Sequence, residues 1–496
     1  MSAYAQLAAH FHALSAIEGA SAILGWDYEV MMPSGAAEIR AEQLAALAGI
    51  AHAKLTEPAI GEWLAQAADE SLTEWQAANI REMKREYAHA TALPADLVEA
   101  LTRATTACEH VWRSARAEND FARFQQYFEP VLALVREAAV IKGEALGLHP
   151  YDALLDSYDP GMRRAIIDPV FDDLQAFLPP FIEQVIAYQA AHKPFTPLAD
   201  AIPIAKQEAL GRQMMQLLGF DFTQGRIDIS AHPFCGGVPG DIRLTTRYRE
   251  SAFTESLYGV LHETGHALYE MGLPAEWRNQ PVGRARGMSL HESQSLLVEM
   301  QLCRGRDFLH FALPLMREAF GTAGATWDEE NMARSLTRVE RSLIRVNADE
   351  ATYPLHVMLR YRLEQALLSG DLPVADLPAA WDDGMQAALG IRPDCVGNGC
   401  MQDVHWPGGS IGYFPTYTLG AITAAQLFDA ARRVIPDLSA HIRKGNFVPL
   451  FGWLREQVHS RASLHSTPDL ITQATGQPLN VAIYKAHLTQ RYLDQP

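Results

Sequence analysis

Through most of its 496 residues this chain repeats apolar side chains every three or four positions, with charged residues between them. That spacing gathers apolar groups on one face of an α-helix and gives a strand no consistent inside. The pattern predicts helices over 1–24, 36–53, 72–90, 94–118, 120–145, 165–192 and 203–218. It predicts more over 252–271, 289–312, 327–351, 353–369, 422–434 and 448–459. Strand-like alternation is confined to 225–230 and 242–248, which predicts a small sheet. Proline and glycine mark loops at 193–203, 232–241 and 391–420. The expected fold is mainly α with a small β element. No repeat, linker or composition shift divides the chain, so 1–496 is read as one unit, with a helical part of about 1–200 and a second part of about 201–496.

The charge balance narrows the partners. With 59 acidic against 41 basic residues, the formal charge is −18, which argues against nucleic acid and anionic membranes. The longest stretch without Asp, Glu, Lys or Arg, Val404–Phe428, contains Pro407 and Pro415 and makes a poor membrane helix. The first Lys or Arg is Arg40, so the charged start of a secretory signal peptide is not expected. The 5 cysteines are few, odd in number and scattered, so the expected setting is reducing and cytoplasmic.

Inside the 252–271 helix stands His262-Glu263-Thr264-Gly265-His266. Histidines four apart share a helix face and can reach one metal ion, and Glu263 then sits beside the open coordination position, where it can take a proton from water. With 18 histidines in the chain, a chance H-E-x-x-H is on the order of a few per cent. The alternative is a core helix with two satisfied histidines. Catalysis needs a third protein ligand, and Glu270, Glu276, His291, Glu292 and Glu299 are the candidates. Ser289-Leu290-His291-Glu292 also reads as a capping box, in which Glu292 would only bond a backbone N–H; spacing leaves ligand and cap open. A carboxylate one turn after the third ligand often orients a metal-bound histidine, but Leu296 stands there, so Ser295, Glu299 and Asp349 are the candidates for that task.

Several further motifs accompany this one. They are Trp26-Asp27 with Met31-Met32-Pro33, His232-Pro233-Phe234, Asp241-Ile242-Arg243-Leu244-Thr245, His291-Glu292-Ser293-Gln294-Ser295, Ile344-Arg345-Val346-Asn347-Ala348-Asp349, and Gly399 to Trp406. In this order they resemble the carboxypeptidase Taq family of metallocarboxypeptidases, nearly end to end and with no departure at a motif position. The resemblance implies a helical fold with a deep groove, akin to neurolysin and angiotensin-converting enzyme. It also implies a homodimer that removes single residues from peptide C-termini. It implies His262, His266 and Glu292 as ligands of one divalent ion, with Zn2+ expected and Co2+ able to fit the same donors, and it implies His405 as a catalytic residue.

The resemblance also implies a phenol facing the reaction oxyanion; Tyr413 and Tyr417 compete for it, Tyr413 is favoured over core packing, and Tyr417 either lines the substrate site or packs in the core. The resemblance implies Arg345 as the anchor for the substrate α-carboxylate, a role suited to a planar guanidinium; the alternative is a pair with Asp349, four residues on. Arg243 is second, lining the groove or bracing a strand. Arg247 and Arg249 read as solvated, and His232 as a packed loop histidine. Two rival functions remain at this level: a zinc oligopeptidase cutting internal bonds, and an inactive helical scaffold.

Overall fold

The computed structural model describes residues 1–198, 201–230 and 233–494, and His232 lies outside them. The N-terminal helices are α1 (Ala3–Val30), α2 (Ala37–Leu55), α3 (Pro58–Ala67), α4 (Glu74–Ala92), α5 (Ala95–Glu118), α6 (Phe121–Leu146), α7 (Pro150–Leu155), α8 (Arg164–Ala191) and α9 (Ile204–Leu218). A sheet follows, of β1 (Gly225–Ile229), β2 (Cys235–Val238) and β3 (Asp241–Thr246). Then come α10 (Phe253–Gly272), α11 (Gly287–Leu296), α12 (Arg306–Phe320), α13 (Glu329–Leu336), α14 (Tyr353–Ser369) and α15 (Leu377–Leu389). The chain ends with α16 (Pro415–Val434), α17 (Leu438–Arg443), α18 (Val448–Gln457), α19 (Thr467–Thr475) and α20 (Val481–Tyr492). The fold is mainly α, as the periodicity predicts.

Local chemistry sets the helix ends. Thr73 and Gln76 form a reciprocal capping box at the start of α4. Asp120 accepts the Arg123 N–H at the start of α6, and Asn119 (φ 57°) closes α5 in the left-handed conformation. Helix α1 is long and apolar enough to cross a membrane by length and composition. Here its Leu7, Phe11 and Leu14 pack with Ile60, Ala67 and Met83 of α3 and α4.

Two expected helices are broken. The 289–312 helix becomes α11, a widened π turn over Leu297–Cys303, and α12 after Gly305. The 327–351 helix ends at Leu336, and the chain then runs irregularly to Thr352 apart from a short turn at Arg345–Asn347. Asp349 contributes to the break: its half-buried carboxylate accepts the backbone N–H groups of Glu340, Ala351 and Thr352 and the Thr352 hydroxyl, which competes with helical bonding. The expected loop 232–241 contains β2, and the expected loop 391–420 gives way to α16 at Pro415, a residue suited to a first helical turn.

The sheet has the order β1-β3-β2, with β1 parallel and β2 antiparallel to β3. Its Ile227, Ile242 and Leu244 pack on Val260 and Ala267 of α10, so the small sheet backs the metal-motif helix. The two largest apolar cores meet at α16. Leu419, Ile422 and Ala425 belong to the core holding Phe128, Phe171 and Trp381. Ala424, Leu427 and Ala431 belong to the core holding Leu261, Leu297 and Phe308. Helix α16 is therefore buried on opposite faces, and α11 packs directly against it.

Candidate metal centre

Helix α10 carries His262, Glu263 and His266, and α11 lies across it. The crossing is close because Gly265, inside the metal motif, has no side chain: a Cβ there would stand 2.4 Å from the Gln294 carbonyl oxygen. On the far side of α11, a Cβ at Gly420 of α16 would stand 2.9 Å from Glu292 Cβ. These two glycines let three helices converge on Glu292. Helix α11 starts at Gly287 with Arg286 as its cap residue, so Ser289 lies inside the helix and the capping-box alternative for Glu292 does not hold.

The ligand atoms of His262, His266 and Glu292 all lie within 4.8 Å of one another. His262 Nε2 is 3.8 Å from Glu292 Oε1, and His266 Nε2 is 3.5 Å from Glu292 Oε2. Donors tetrahedrally arranged on an ion with bonds of about 2.1 Å stand about 3.4 Å apart, so these side chains fit such an ion with little movement.

Each histidine turns its other nitrogen to a partner. His262 Nδ1 is 2.9 Å from Glu299 Oε2, and Arg304 donates to Glu299 Oε1 from Nη2 at 2.9 Å and Nε at 3.2 Å. Glu299 comes two turns after Glu292 and returns to roughly the same side of the helix. His266 Nδ1 is 2.7 Å from His291 Nδ1, and His291 Nε2 is 2.8 Å from Glu270 Oε1. With His266 Nε2 left to an ion, His266 Nδ1–H donates to His291, and His291 Nε2–H donates to Glu270. Three candidates for third ligand, Glu270, His291 and Glu299, thus stand behind the ligands. Glu276 is exposed on a turn after α10.

Glu263 is buried, and burial, with Glu292 adding, pushes its carboxyl up to about 7. Burial lowers His266 to about 4. Burial also opposes charge on His262, but Glu292 and Glu299 outweigh it and raise the imidazole to about 10. The cluster thus favours positive charge, as a divalent ion would supply.

Beyond Glu292 lies an aromatic and cationic wall. His405 Nε2 is 3.1 Å from the Tyr417 hydroxyl, and the His405 ring packs on Phe414 at 4.4 Å. Burial, with Arg345 adding, lowers His405 to about 4 and keeps it neutral. Tyr413 packs edge-on against Tyr158 and Tyr417. Burial raises both Tyr413 and Tyr417, so each stays a neutral donor.

Arg345 is buried. It donates to Asp403 Oδ1 from Nε at 3.0 Å and Nη2 at 2.8 Å, and to the Tyr353 hydroxyl from Nη1 at 2.6 Å. Asp403 also accepts from Arg360 Nε at 2.7 Å, so two guanidinium groups share one carboxylate and a net positive charge remains. N–H groups on Nη1 and Nη2 of Arg345 stay unclaimed by these bonds. Asp349 is not its partner, contrary to the pairing alternative, because that carboxylate is occupied by backbone N–H groups.

Over residues 6–492 the chain matches the family model described as carboxypeptidase Taq (M32) metallopeptidase. The chain belongs to this family. Thermostable carboxypeptidase 1 of Thermus thermophilus is 37% identical over 484 residues, which are 95% of this chain and 94% of that protein. Carboxypeptidase 1 of Bacillus subtilis is 33% identical over 477 residues, again 95% and 94% of the two chains. Metallocarboxypeptidase 1 of Trypanosoma cruzi superposes with a TM-score of 0.97 at 39% identity over 99% of both chains. A Pyrococcus furiosus carboxypeptidase described as Apo-Mg superposes with a TM-score of 0.94 at 30% identity, also over 99% of both. The protein is thus a metallocarboxypeptidase by family.

Three of the other M32 motifs meet one another. Arg243 forks onto Asp241 at 2.9 and 2.5 Å and lies over the Trp26 ring at 5.8 Å. Trp26 in turn packs on Phe234 at 5.2 Å. Three motifs thus build one cluster joining α1 to the sheet, and among the described residues no metal-centre side chain hydrogen-bonds or ion-pairs with Arg243. The bracing reading of Arg243 fits this geometry better than the groove-lining one. Arg249 pairs with exposed Glu255, in keeping with its solvated reading. Sequence reasoning missed Tyr353, Arg360, Asp403 and Arg304 as partners of the site. Asp403 stands inside the Gly399–Trp406 motif and was open to notice. The others became visible only through contacts between helices.

Proposed function

We propose that this M32 metallocarboxypeptidase removes single residues from the free C-termini of peptides. The observation that carries the reading is the convergence of His262, His266 and Glu292, with all ligand atoms within 4.8 Å, beside buried Glu263. Two imidazoles and one carboxylate suit Zn2+ or Co2+; Mg2+ prefers an all-oxygen octahedron. A divalent ion held there supplies Lewis-acid activation of a water molecule and of the scissile carbonyl.

The chain's own groups do the rest. Glu263, buried and reluctant to ionise, takes the proton of the attacking water and passes it to the leaving amine. Tyr413 is the proposed donor to the developing oxyanion. Among the described residues its hydroxyl has no hydrogen-bond partner, whereas that of Tyr417 is engaged by His405. His405 and Tyr417 together hold the substrate backbone. Arg345 offers its unclaimed N–H groups to the terminal carboxylate, and the surplus positive charge over Asp403 favours that anion.

The same reading includes a homodimer, from the family resemblance, and a reducing cytoplasmic setting, in keeping with five free cysteines. Mass spectrometry of a peptide incubated with Zn2+- or Co2+-loaded enzyme tests the reaction. A ladder shortened one residue at a time from the C-terminus is expected. Internal fragments, or equal cleavage of the C-terminally amidated peptide, would indicate an oligopeptidase instead.

A further inference from the structure

Behind the metal centre, on the side to which His262 turns its Nδ1, lies a cavity of about 680 Å3. The end of α8, the π turn, α12, α13, α16, α17 and α20 line it, it is half open to solvent, and no metal ligand lines it. Its charge is opposite to that of the chain, whose formal net charge is −18. Seven of its lining residues are Lys or Arg, and only Asp307 and Glu330 are acidic. Four of the arginines have carboxylate partners: Arg304 with Glu299, Arg306 with Glu330, Arg338 with Glu340 and Arg491 with Glu350. The other three cations, Lys193, Arg334 and Arg432, have no carboxylate partner among the described residues. Arg334 Nε is also buried without a hydrogen bond. Phe195, Phe428 and Ile442 add apolar surface to the same space.

Cations without carboxylate partners around a half-open cavity attract anions, even with Lys193 and Arg432 exposed to solvent, and Arg matches a phosphate through parallel N–H donors. The volume lies in the ordinary range for small-molecule sites. We propose that this cavity binds a small phosphate monoester, its dianionic head between Arg334, Arg432 and Lys193 and its apolar body against Phe195 and Phe428. The site is also wired to the metal centre. Arg304 lines the cavity and holds Glu299, and the other oxygen of Glu299 holds His262. Arg491 lines it and holds Glu350, whose neighbour Asp349 organises the segment that carries Arg345. An anion held by Arg334, Arg432 and Lys193 shares the cavity with Arg304 and Arg491 and adds negative charge beside them, so occupancy and peptide turnover are coupled, and the coupling runs both ways.

Calorimetry of phenyl phosphate with the metal-loaded enzyme tests this, using benzyl alcohol as the neutral control and the Arg334→Gln/Arg432→Gln variant. The expected result is saturable binding with one site per chain, weakened at least about tenfold in the variant, and none for benzyl alcohol. Phenyl phosphate should change the KM or kcat of wild type and leave the variant unmoved, while the variant alone retains wild-type Tm and basal turnover. No saturable binding to wild type would overturn the proposal. So would equal binding to the variant, which would locate the anion at the metal, or equal binding of benzyl alcohol, which would make the cavity merely apolar. None of these outcomes depends on whether the enzyme trims C-termini or cuts internal bonds.

Discussion

His291 Nδ1 lies 2.7 Å from His266 Nδ1, so a residue that sequence spacing offered as a metal ligand instead fixes the tautomer of one. The neighbouring position, Glu292, turns the other way, toward both Nε2 atoms. Adjacent helical residues diverge by about 100°, and one of them faces the two Nε2 atoms while the other reaches the back of an imidazole. Replacing His291 by Ala is expected to weaken metal binding by about 10- to 100-fold while leaving all three ligands in place. Competition with a chelator measures this; an unchanged affinity would remove His291 from any orienting role. Glu299→Gln is expected to act similarly through His262.

Glu263→Gln separates chemistry from metal binding. The amide cannot accept the water proton, and the side chain is not among the converging ligands. Metal content should stay at the wild-type level and kcat should fall by about 10²- to 10⁴-fold. Loss of the metal would reassign Glu263 to structure.

Arg345→Ala tests recognition of the substrate terminus. Asp403 keeps Arg360 as its partner, so the fold should survive with a modest fall in Tm. Losing a charged anchor of this kind costs about 3 kcal/mol, or about 10²-fold in kcat/KM on free-acid peptides. Amidated peptides should be poor substrates of both enzymes, and the difference between the two peptide classes should collapse in the variant.

Gly265→Ala is small in volume and large in consequence. The new methyl would stand 2.4 Å from a backbone carbonyl of α11, which cannot rotate away. Helix α11 must move, at a cost of about 1–3 kcal/mol, and Glu292 moves with it. Lower Tm and weaker metal binding are expected together. A Tm loss at unchanged metal affinity would show that Glu292 is positioned by other contacts.

Stability should carry a pH signature from Glu364. Its carboxylate is buried, accepts from Tyr151, Trp406 and Gly412, and is pushed up to about 7 by burial. A carboxyl whose folded pKa is raised favours the folded state most below its unfolded value of about 4.3. That advantage is lost as pH rises through about 7. Between these limits, Glu364→Gln should show a flatter fall of stability with pH than wild type in denaturant titrations. Parallel pH curves would mean that Glu364 is ionised throughout.

Much of this protein was written in its order of residues. Helical content follows from three- and four-residue apolar spacing, and the His262–His266 pair follows from helix geometry alone, because both are local properties of consecutive residues. Only the tertiary structure decided which carboxylate completes the cluster. Glu270, Glu292 and Glu299 are chemically alike, and what distinguishes them is how closely α10 and α16 approach α11, a distance set by Gly265 and Gly420. The break of the 327–351 helix was hidden for the same reason: Asp349 satisfies N–H groups nine residues back and two or three ahead, and Arg345 meets Asp403 from a distant loop. Contacts between segments far apart in the chain fixed these outcomes, and the periodicity of one segment carries no information about the neighbour it will meet.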